Sequence, residues 1–242
     1  MRKILSIALA ILVGLSVNAQ IYNNFMEAGN FAKNDLNYPL SIYFYKEALK
    51  HIPADSVAEV YISECNLRDA HMYSRNYEEA LRYGKDAIST IERVGYSGTY
   101  RIKEDSLMVA NIYALKGDSL MASQWLDDAF GHALNTEMTW AGKLQLAKLG
   151  GIVSSRLNNW SQAESMYDFS HKIMNRFKPS DETVNTLNLY GNALFHNNKF
   201  EEALKIYERL LETSGTLYGK DSREYHWAQY CIANILAYLG KI

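Results

Sequence analysis

The sequence is poor in the residues that interrupt helices or cross-link domains. Among its 242 residues there are three prolines, Pro39, Pro53 and Pro179, and two cysteines, Cys65 and Cys231. Scarce proline favours long helices and argues against a chain rich in linkers. The cysteines are far apart and lie in apolar helical stretches, so we expect two small buried side chains, neither bridged nor holding a metal.

The sequence also lacks an excess of charge and any catalytic signature. The formal net charge is −2 and no basic stripe occurs, which argues against a nucleic-acid partner. The six histidines are scattered, and no HExxH, GxSxG or CxxC pattern is present. No nucleophile and base pair can be nominated, so we predict that the protein is not an enzyme and uses no cofactor or metal.

One long apolar run occurs, at the N-terminus. It extends from Ile4 to Val17, follows Arg2 and Lys3, and leads into small residues that end at Ala19. This is the pattern of a secretory signal peptide. We expect residues 1–19 to be cleaved and residues 20–242 to be exported, to a bacterial periplasm or beyond, without a stable membrane span. The alternative is an uncleaved anchor, for which the run is short.

The chain contains a repeating pair of amphipathic helices, most clearly within residues 187–211. Apolar side chains there follow the helical period on both sides of a polar turn, Asn197 to Lys199. A small residue opens each second helix, at intervals of about 40 residues: Ser41, Ala80, Ala122, Ala163 and Ala203. Three positions earlier stand Tyr38, Tyr77, Ser119, Trp160 and Phe200. Small residues let helices approach closely, and aromatic rings fill the space beside the crossing.

These positions resemble the tetratricopeptide repeat, in the longer form found in kinesin light chain and in many bacterial arrays. The first repeat carries the family residues Gly29, Ser41, Tyr45, Ala48 and Pro53. Arg68 at a small position and Gly84 at an aromatic one depart from the pattern, so the packing of the second repeat stays open.

The resemblance and the pattern together predict the fold. Each helix pair leaves an apolar face that the next pair covers. We therefore expect an all-α, right-handed superhelical solenoid of stacked antiparallel helix pairs, with five repeats plus a terminal helix. The predicted boundaries are approximately 22–55, 56–98, 99–137, 138–179 and 180–218, with the terminal helix at 222–240.

The resemblance also implies a concave groove lined by the first helix of each repeat. One groove position reads Asn30, Asp69, Asn111, Ile152, Asn192 and Asn234 in successive repeats. An amide donates and accepts at once, so such a ladder can hold the backbone of an extended peptide. Alternatively, these side chains form hydrogen bonds between repeats. The full set of predicted groove residues is Asn30, Asp69, Tyr73, Asn111, Lys148, Arg156, Asn188, Asn192, Phe195, Trp227, Tyr230 and Asn234.

Four Asp/Ser pairs are predicted to cap helix starts: Asp55-Ser56, Asp105-Ser106, Ser180-Asp181 and Asp221-Ser222. Three tripeptides also resemble an O-glycosylation motif of exported bacterial proteins: Asp55-Ser56-Val57, Asp105-Ser106-Leu107 and Asp118-Ser119-Leu120. Capping is the preferred interpretation because it needs no modifying enzyme.

We predict an exported scaffold that binds proteins or peptides through its concave groove. An alternative is the N-terminal sensing or docking arm of a longer protein, such as a histidine kinase or a caspase-like protease. The terminal helix, Ser222 to Leu239, carries apolar residues around much of its circumference. We expect it to be covered by further chain or by a second copy, so self-association is a third possibility.

Overall fold

The structure is a computed structural model that describes residues 2–52, 56–95, 100–130 and 138–241. All eleven elements in these ranges are α-helices, and no strand occurs among them, which confirms the all-α prediction. The chain divides into two compact parts, an N-terminal unit (Met1–Gly117) and a C-terminal unit (Asp118–Ile242).

The N-terminal unit consists of two antiparallel helix pairs followed by a single helix. Its helices are α1 (Arg2–Asn34), α2 (Tyr38–Leu49), α3 (Val57–Tyr73), α4 (Tyr77–Arg93) and α5 (Tyr100–Lys116). Each helix packs against the next one along the chain. The first two pairs are therefore the first two predicted repeats.

The C-terminal unit has the same plan. Its helices are α6 (Ser119–Phe130), α7 (Trp140–Arg156), α8 (Trp160–Met174), α9 (Asp181–His196), α10 (Phe200–Tyr218) and α11 (Arg223–Tyr238). Helices α7 to α11 pack sequentially, as the fourth and fifth predicted repeats and the terminal helix. The helices of the third predicted repeat, α5 and α6, belong to different units.

The second helices begin at the residues that the sequence marks. Each second helix begins three residues before the small residue of its repeat, and this holds for α2, α4, α6, α8 and α10. Those small residues, Ser41, Ala80, Ala122, Ala163 and Ala203, are all fully buried. Just before three of these helices, an asparagine caps the first turn through its side chain: Asn37, Asn76 and Asn159.

Helix α1 runs without a break through the predicted cleavage site at Ala19. Downstream of that site, the first buried side chain is Tyr22, whose hydroxyl donates a 3.1 Å hydrogen bond to the Glu59 carbonyl. Within the described ranges, no helix has both the length and the apolar character needed to span a membrane.

A glycine of the first helix lies against a tyrosine ring of the second helix in three repeats. The pairs are Gly29 with Tyr45, Gly151 with Tyr167, and Gly191 with Tyr207. A Cβ atom added to Gly151 or Gly191 would lie only 2.5 Å or 2.8 Å from the ring. All three tyrosines are buried, so each ring closes the space that the missing side chain leaves open.

We expect Gly151→Ala to lower the free energy of unfolding by about 1–2 kcal/mol. Alanine gains about 0.5–1 kcal/mol in helix propensity, but overpacking against the buried Tyr167 ring costs about 1–3 kcal/mol. Chemical denaturation measures the difference. Gly215→Ala is the control, because its nearest contact is the ring of Tyr225 at 3.2 Å. Gly215→Ala should be as stable as the unchanged chain or up to about 1 kcal/mol more stable, because the gain in helix propensity is not outweighed by a short contact. Equal stability of the two variants would contradict the role of the contact.

In the second repeat, a large residue stands at the position of the glycine and a glycine stands at the position of the tyrosine. Arg68 stands where the other repeats have a small residue, and Gly84 stands where the first, fourth and fifth repeats have a tyrosine. A Cβ on Gly84 would lie 3.4 Å from the Cδ atom of Arg68 and 3.0 Å from Val109, so the arginine stem fills the space of the absent ring. The two departures from the family pattern compensate each other.

The Arg68 guanidinium is buried and ion-paired. Its Nη1 atom lies 2.5 Å from Oδ1 of Asp105 on α5, and its Nε atom lies 2.9 Å from Oδ1 of Asp69. Tyr61 donates to the other Asp105 oxygen at 2.8 Å. The Cys65 thiol lies beside this cluster, and burial, with Asp105 nearby, raises its pKa to about 12.

The capping prediction is wrong at Asp105. Helix α5 begins at Tyr100, so Asp105 lies inside the helix, where it is 2% exposed and balances the charge of Arg68. Its neighbour Ser106 is also buried, which removes this tripeptide from the surface of the folded chain.

At two other pairs the serine caps the helix that follows it. Ser180 forms a capping box with Thr183 at the start of α9, and Ser222 accepts from the Tyr225 N–H at the start of α11. Asp55 lies outside the described residues.

We expect Arg68→Met to lower the free energy of unfolding by about 3–5 kcal/mol, because it leaves the Asp105 carboxylate buried without its cation. The double variant Arg68→Met/Asp105→Leu should recover most of this loss. Arg82→Met is the matched control, since Arg82 is exposed, forms surface ion pairs with Glu79 and Asp86 and lies over the Tyr83 ring, and its loss should cost less than about 1 kcal/mol. If denaturation curves give Arg68→Met and Arg82→Met the same free energy of unfolding, the prediction is refuted.

Candidate functional site

Three of the predicted ladder residues make contacts within the N-terminal unit. Asn30 accepts a 2.7 Å hydrogen bond from the Tyr45 hydroxyl, and Asp69 is paired with Arg68. Asn111 is buried, with its Nδ2 atom 3.6 Å from the sulfur of Met72. Of these three contacts, only that of Asn111 with Met72 joins two repeats; those of Asn30 and Asp69 lie within one repeat.

A cleft of about 450 Å³ lies beside these residues in the N-terminal unit. It is lined by Lys33, Asn34, Leu36, Tyr38, Asp69 and Tyr73. We call it the N-terminal cleft. Tyr73 is exposed, but its ring stacks on Tyr38 at a centroid distance of 5.5 Å. Lys33 donates to Asn66 at 3.0 Å and Asp69 is paired with Arg68, so the charged groups of this cleft are already bonded within the chain.

A larger cleft, of about 690 Å³, lies in the C-terminal unit, and we call it the C-terminal cleft. Helices α9 and α11 form its two sides, and the last residue of α10 closes it. Its lining is Asp181, Val184, Asn185, Asn188, Leu210, Tyr218, Arg223, Glu224, His226, Trp227 and Tyr230. Three predicted groove residues, Asn188, Trp227 and Tyr230, therefore meet in one site.

One hydrogen bond across the C-terminal cleft holds the indole of Trp227 in place. The Trp227 Nε1–H donates to Oδ1 of Asn188 at 2.8 Å, linking α11 to α9. Trp227 remains 48% exposed and Tyr230 is 62% exposed, and the centroids of their rings lie 5.6 Å apart. The site therefore offers two aromatic surfaces, and one of them is positioned by an asparagine.

A second hydrogen bond crosses the same cleft at the helix ends. The Tyr218 hydroxyl donates to Oδ1 of Asp181 at 2.5 Å, and this bond raises the pKa of the Tyr218 phenol to about 12. Tyr218 is the last residue of α10 and Asp181 is the first of α9. The floor is apolar, with Val184 and Leu210 both buried.

The remaining predicted groove residues lie outside both clefts. Lys148 pairs with Glu182 at 2.6 Å, and Arg156 is exposed at the end of α7. Phe195 packs edge-on against Phe200. Asn192 and Asn234 are exposed and line neither cleft.

The sequence analysis missed most of the polar lining of the C-terminal cleft. Asn185 lies one turn before Asn188 on the same helix, so its groove position could have been recognised from the repeat spacing. Tyr218 is the last residue of α10, beyond the apolar pattern that ends at Leu211. Among the described residues, no group of three or more His, Cys, Asp or Glu side chains could hold a metal ion.

Residues 183–224 match the sequence model of the tetratricopeptide repeat. That segment therefore matches one tetratricopeptide repeat, and for the rest of the chain the likeness to such repeats is one of fold. A Rap protein complexed with competence and sporulation factor is similar in structure, with a TM-score of 0.67 and 14% identity over 91% of this chain. The matched region spans 64% of the Rap chain. No curated protein matches the sequence.

Two further solved structures share the fold. BtubC (BKLC) from P. vanneervenii gives a TM-score of 0.63 and 13% identity, covering 96% of this chain and 85% of its own. The TPR-like repeats of a predicted kinesin light chain from Podospora anserina give 0.60 and 13%, covering 80% and 94%. At these identities the likeness concerns the fold, so function must be argued from the clefts.

We expect Asn188→Ala to release the Trp227 indole without unfolding the C-terminal unit. One partly exposed hydrogen bond contributes about 0.5–1.5 kcal/mol, which the helical packing can tolerate. The measurement is the exchange rate of the Trp227 indole proton by NMR, with the resonance assigned from Trp227→Phe, and this rate should rise. Asn192→Ala, one turn further along α9, should leave it unchanged. An unaltered rate in Asn188→Ala would show that the bond does not position the ring.

Proposed function

We propose that this protein is an exported scaffold that binds extended peptide segments of other proteins, and that its C-terminal cleft is the principal binding site. The observation that carries the proposal is the composition of that cleft. Exposed aromatic rings, carboxamide groups and an apolar floor meet in one concave site of about 690 Å³. Ligand sites combine a mostly apolar concave surface with a few placed polar groups in this way.

The fold supports a binding role. Repeats of this kind present one face of each first helix in succession, which suits an elongated ligand. The similar Rap structure is a complex with competence and sporulation factor.

Selection from a phage-displayed library of random peptides against residues 20–242 tests the binding role. We expect peptides that bind the unchanged chain and lose most of their signal on Trp227→Ala. Tyr43→Ala is the matched control, because Tyr43 is an exposed ring on α2 outside both clefts, and it should retain binding. Failure to enrich any peptide would refute the proposal. Light scattering on the same sample would reveal whether copies associate instead.

Export is the second part of the proposal, and the N-terminal sequence supports it. Cleavage after Ala19 would leave Tyr22 in place, so the contacts of α1 with Glu59 and Ser63 would survive processing. Mass spectrometry of the protein recovered from the periplasm of an expressing bacterium should show Gln20 as the first residue. Recovery in the cytoplasm with residues 1–19 intact would refute export.

A further inference from the structure

The charges of the C-terminal cleft nearly cancel. Its lining includes the carboxylates of Asp181 and Glu224 and the guanidinium of Arg223. Helices α9 and α11 both begin at the cleft, and each helix start is equivalent to roughly half a positive charge. The two negative charges are therefore balanced by one full and two partial positive charges. Such a site gains little from either a cationic or an anionic side chain.

The aromatic surfaces of the cleft provide stacking partners for ring side chains. The Trp227 and Tyr230 ring planes are inclined by 32°, and both rings are about half exposed or more. The hydrogen bond from Trp227 to Asn188 fixes the indole, so little side-chain freedom is lost when a ligand stacks on it. Rings stack preferentially in offset or inclined arrangements, which this pair of surfaces provides.

The carboxamides of the cleft suit the backbone of an extended peptide. The Oδ1 atom of Asn188 accepts from Trp227, which leaves its NH₂ group oriented for donation. Asn185 lies three positions earlier on α9, at a separation of about 5–6 Å between Cβ atoms. In an extended chain, residues that face the same side recur at about 6.6–6.8 Å. One asparagine can therefore form a hydrogen bond with one peptide group of the ligand, and the other asparagine can bond to the next peptide group that faces the same side.

We propose that the C-terminal cleft selects extended, uncharged peptide segments that carry a ring side chain, namely proline or an aromatic residue. The inference rests on the proposed function and specifies its ligand. The N-terminal cleft does not share the arrangement, because its lining has a single carboxamide, Asn34, and no tryptophan. Selection by ring stacking is therefore assigned to the C-terminal cleft and not to the N-terminal cleft.

Three matched peptides test the selection. They share a Gly/Ser framework with blocked ends and differ at two alternate positions, which hold Phe and Pro, two Arg, or two Glu. Fluorescence anisotropy of labelled peptides with residues 20–242 gives the affinities. We expect the Phe/Pro peptide to bind at least about tenfold more tightly than either charged peptide, a difference of about 1.4 kcal/mol. It should also shift the Trp227 indole resonance saturably.

Substitutions in the chain test whether the Phe/Pro peptide binds at the C-terminal cleft. Trp227→Ala should reduce the affinity for the Phe/Pro peptide at least about tenfold, and Asn185→Ala/Asn188→Ala should weaken it, whereas Tyr43→Ala should not. Circular dichroism confirms that each variant is folded. Equal or tighter binding of a charged peptide would overturn the inference, as would an undiminished affinity in Trp227→Ala. A saturable shift of the indole resonance by maltoheptaose but not by any peptide would assign the cleft to glycans and would also overturn it.

The two proposals fail in different ways. If none of the three peptides binds but the random library yields peptides that depend on Trp227, the ring selection is wrong and the peptide-binding role stands. If the library also yields none, both are wrong.

Discussion

In three of the helix pairs, the contact between a glycine on one helix and a buried tyrosine ring on the next fixes how closely the two helices can pack. Where the glycine is present, the ring lies against the backbone and the pair closes around it, as at Gly191 and Tyr207. The buried alanine four positions before the tyrosine, Ala203 in this pair, adds a second close approach. The remaining buried apolar residues then pack against the neighbouring pair. In the C-terminal unit, α10 packs against both α9 and α11 and so sets the distance between them, and the cleft lies between these two helices.

Much of this architecture could be predicted from sequence because it depends on spacing. The period of about 40 residues, together with the small residues that open the second helices, places every one of those helices correctly. The prediction fails where a polar residue has two possible roles. Asp105 follows the rule for a helix cap, but a cap and a buried counter-ion have the same local sequence. Only the position of Arg68, 37 residues earlier, distinguishes them.

The site was harder to predict, because it depends on which groove side chains are already hydrogen-bonded to other residues of the chain. Asn30 and Asn188 occupy groove positions of equivalent helices, yet Asn30 accepts from a tyrosine of its own repeat and Asn188 from Trp227 across a cleft. Those partners lie 15 and 39 residues away in sequence, beyond the reach of a local pattern. Asp181, Tyr218 and Glu224 were missed because they come from helix ends, where boundaries are least certain from sequence.

The compensated exchange at Arg68 and Gly84 gives the repeats a fixed order. Repeats built on the glycine and tyrosine contact make that contact within one repeat, so it would survive if recombination moved the repeat. The second repeat is not portable in this sense, since its arginine needs an aspartate from the helix that follows. Moved to another place in the chain, it would carry an uncompensated buried charge. A single ion pair therefore determines which helix must come next, and this part of the chain can be inherited only as a block.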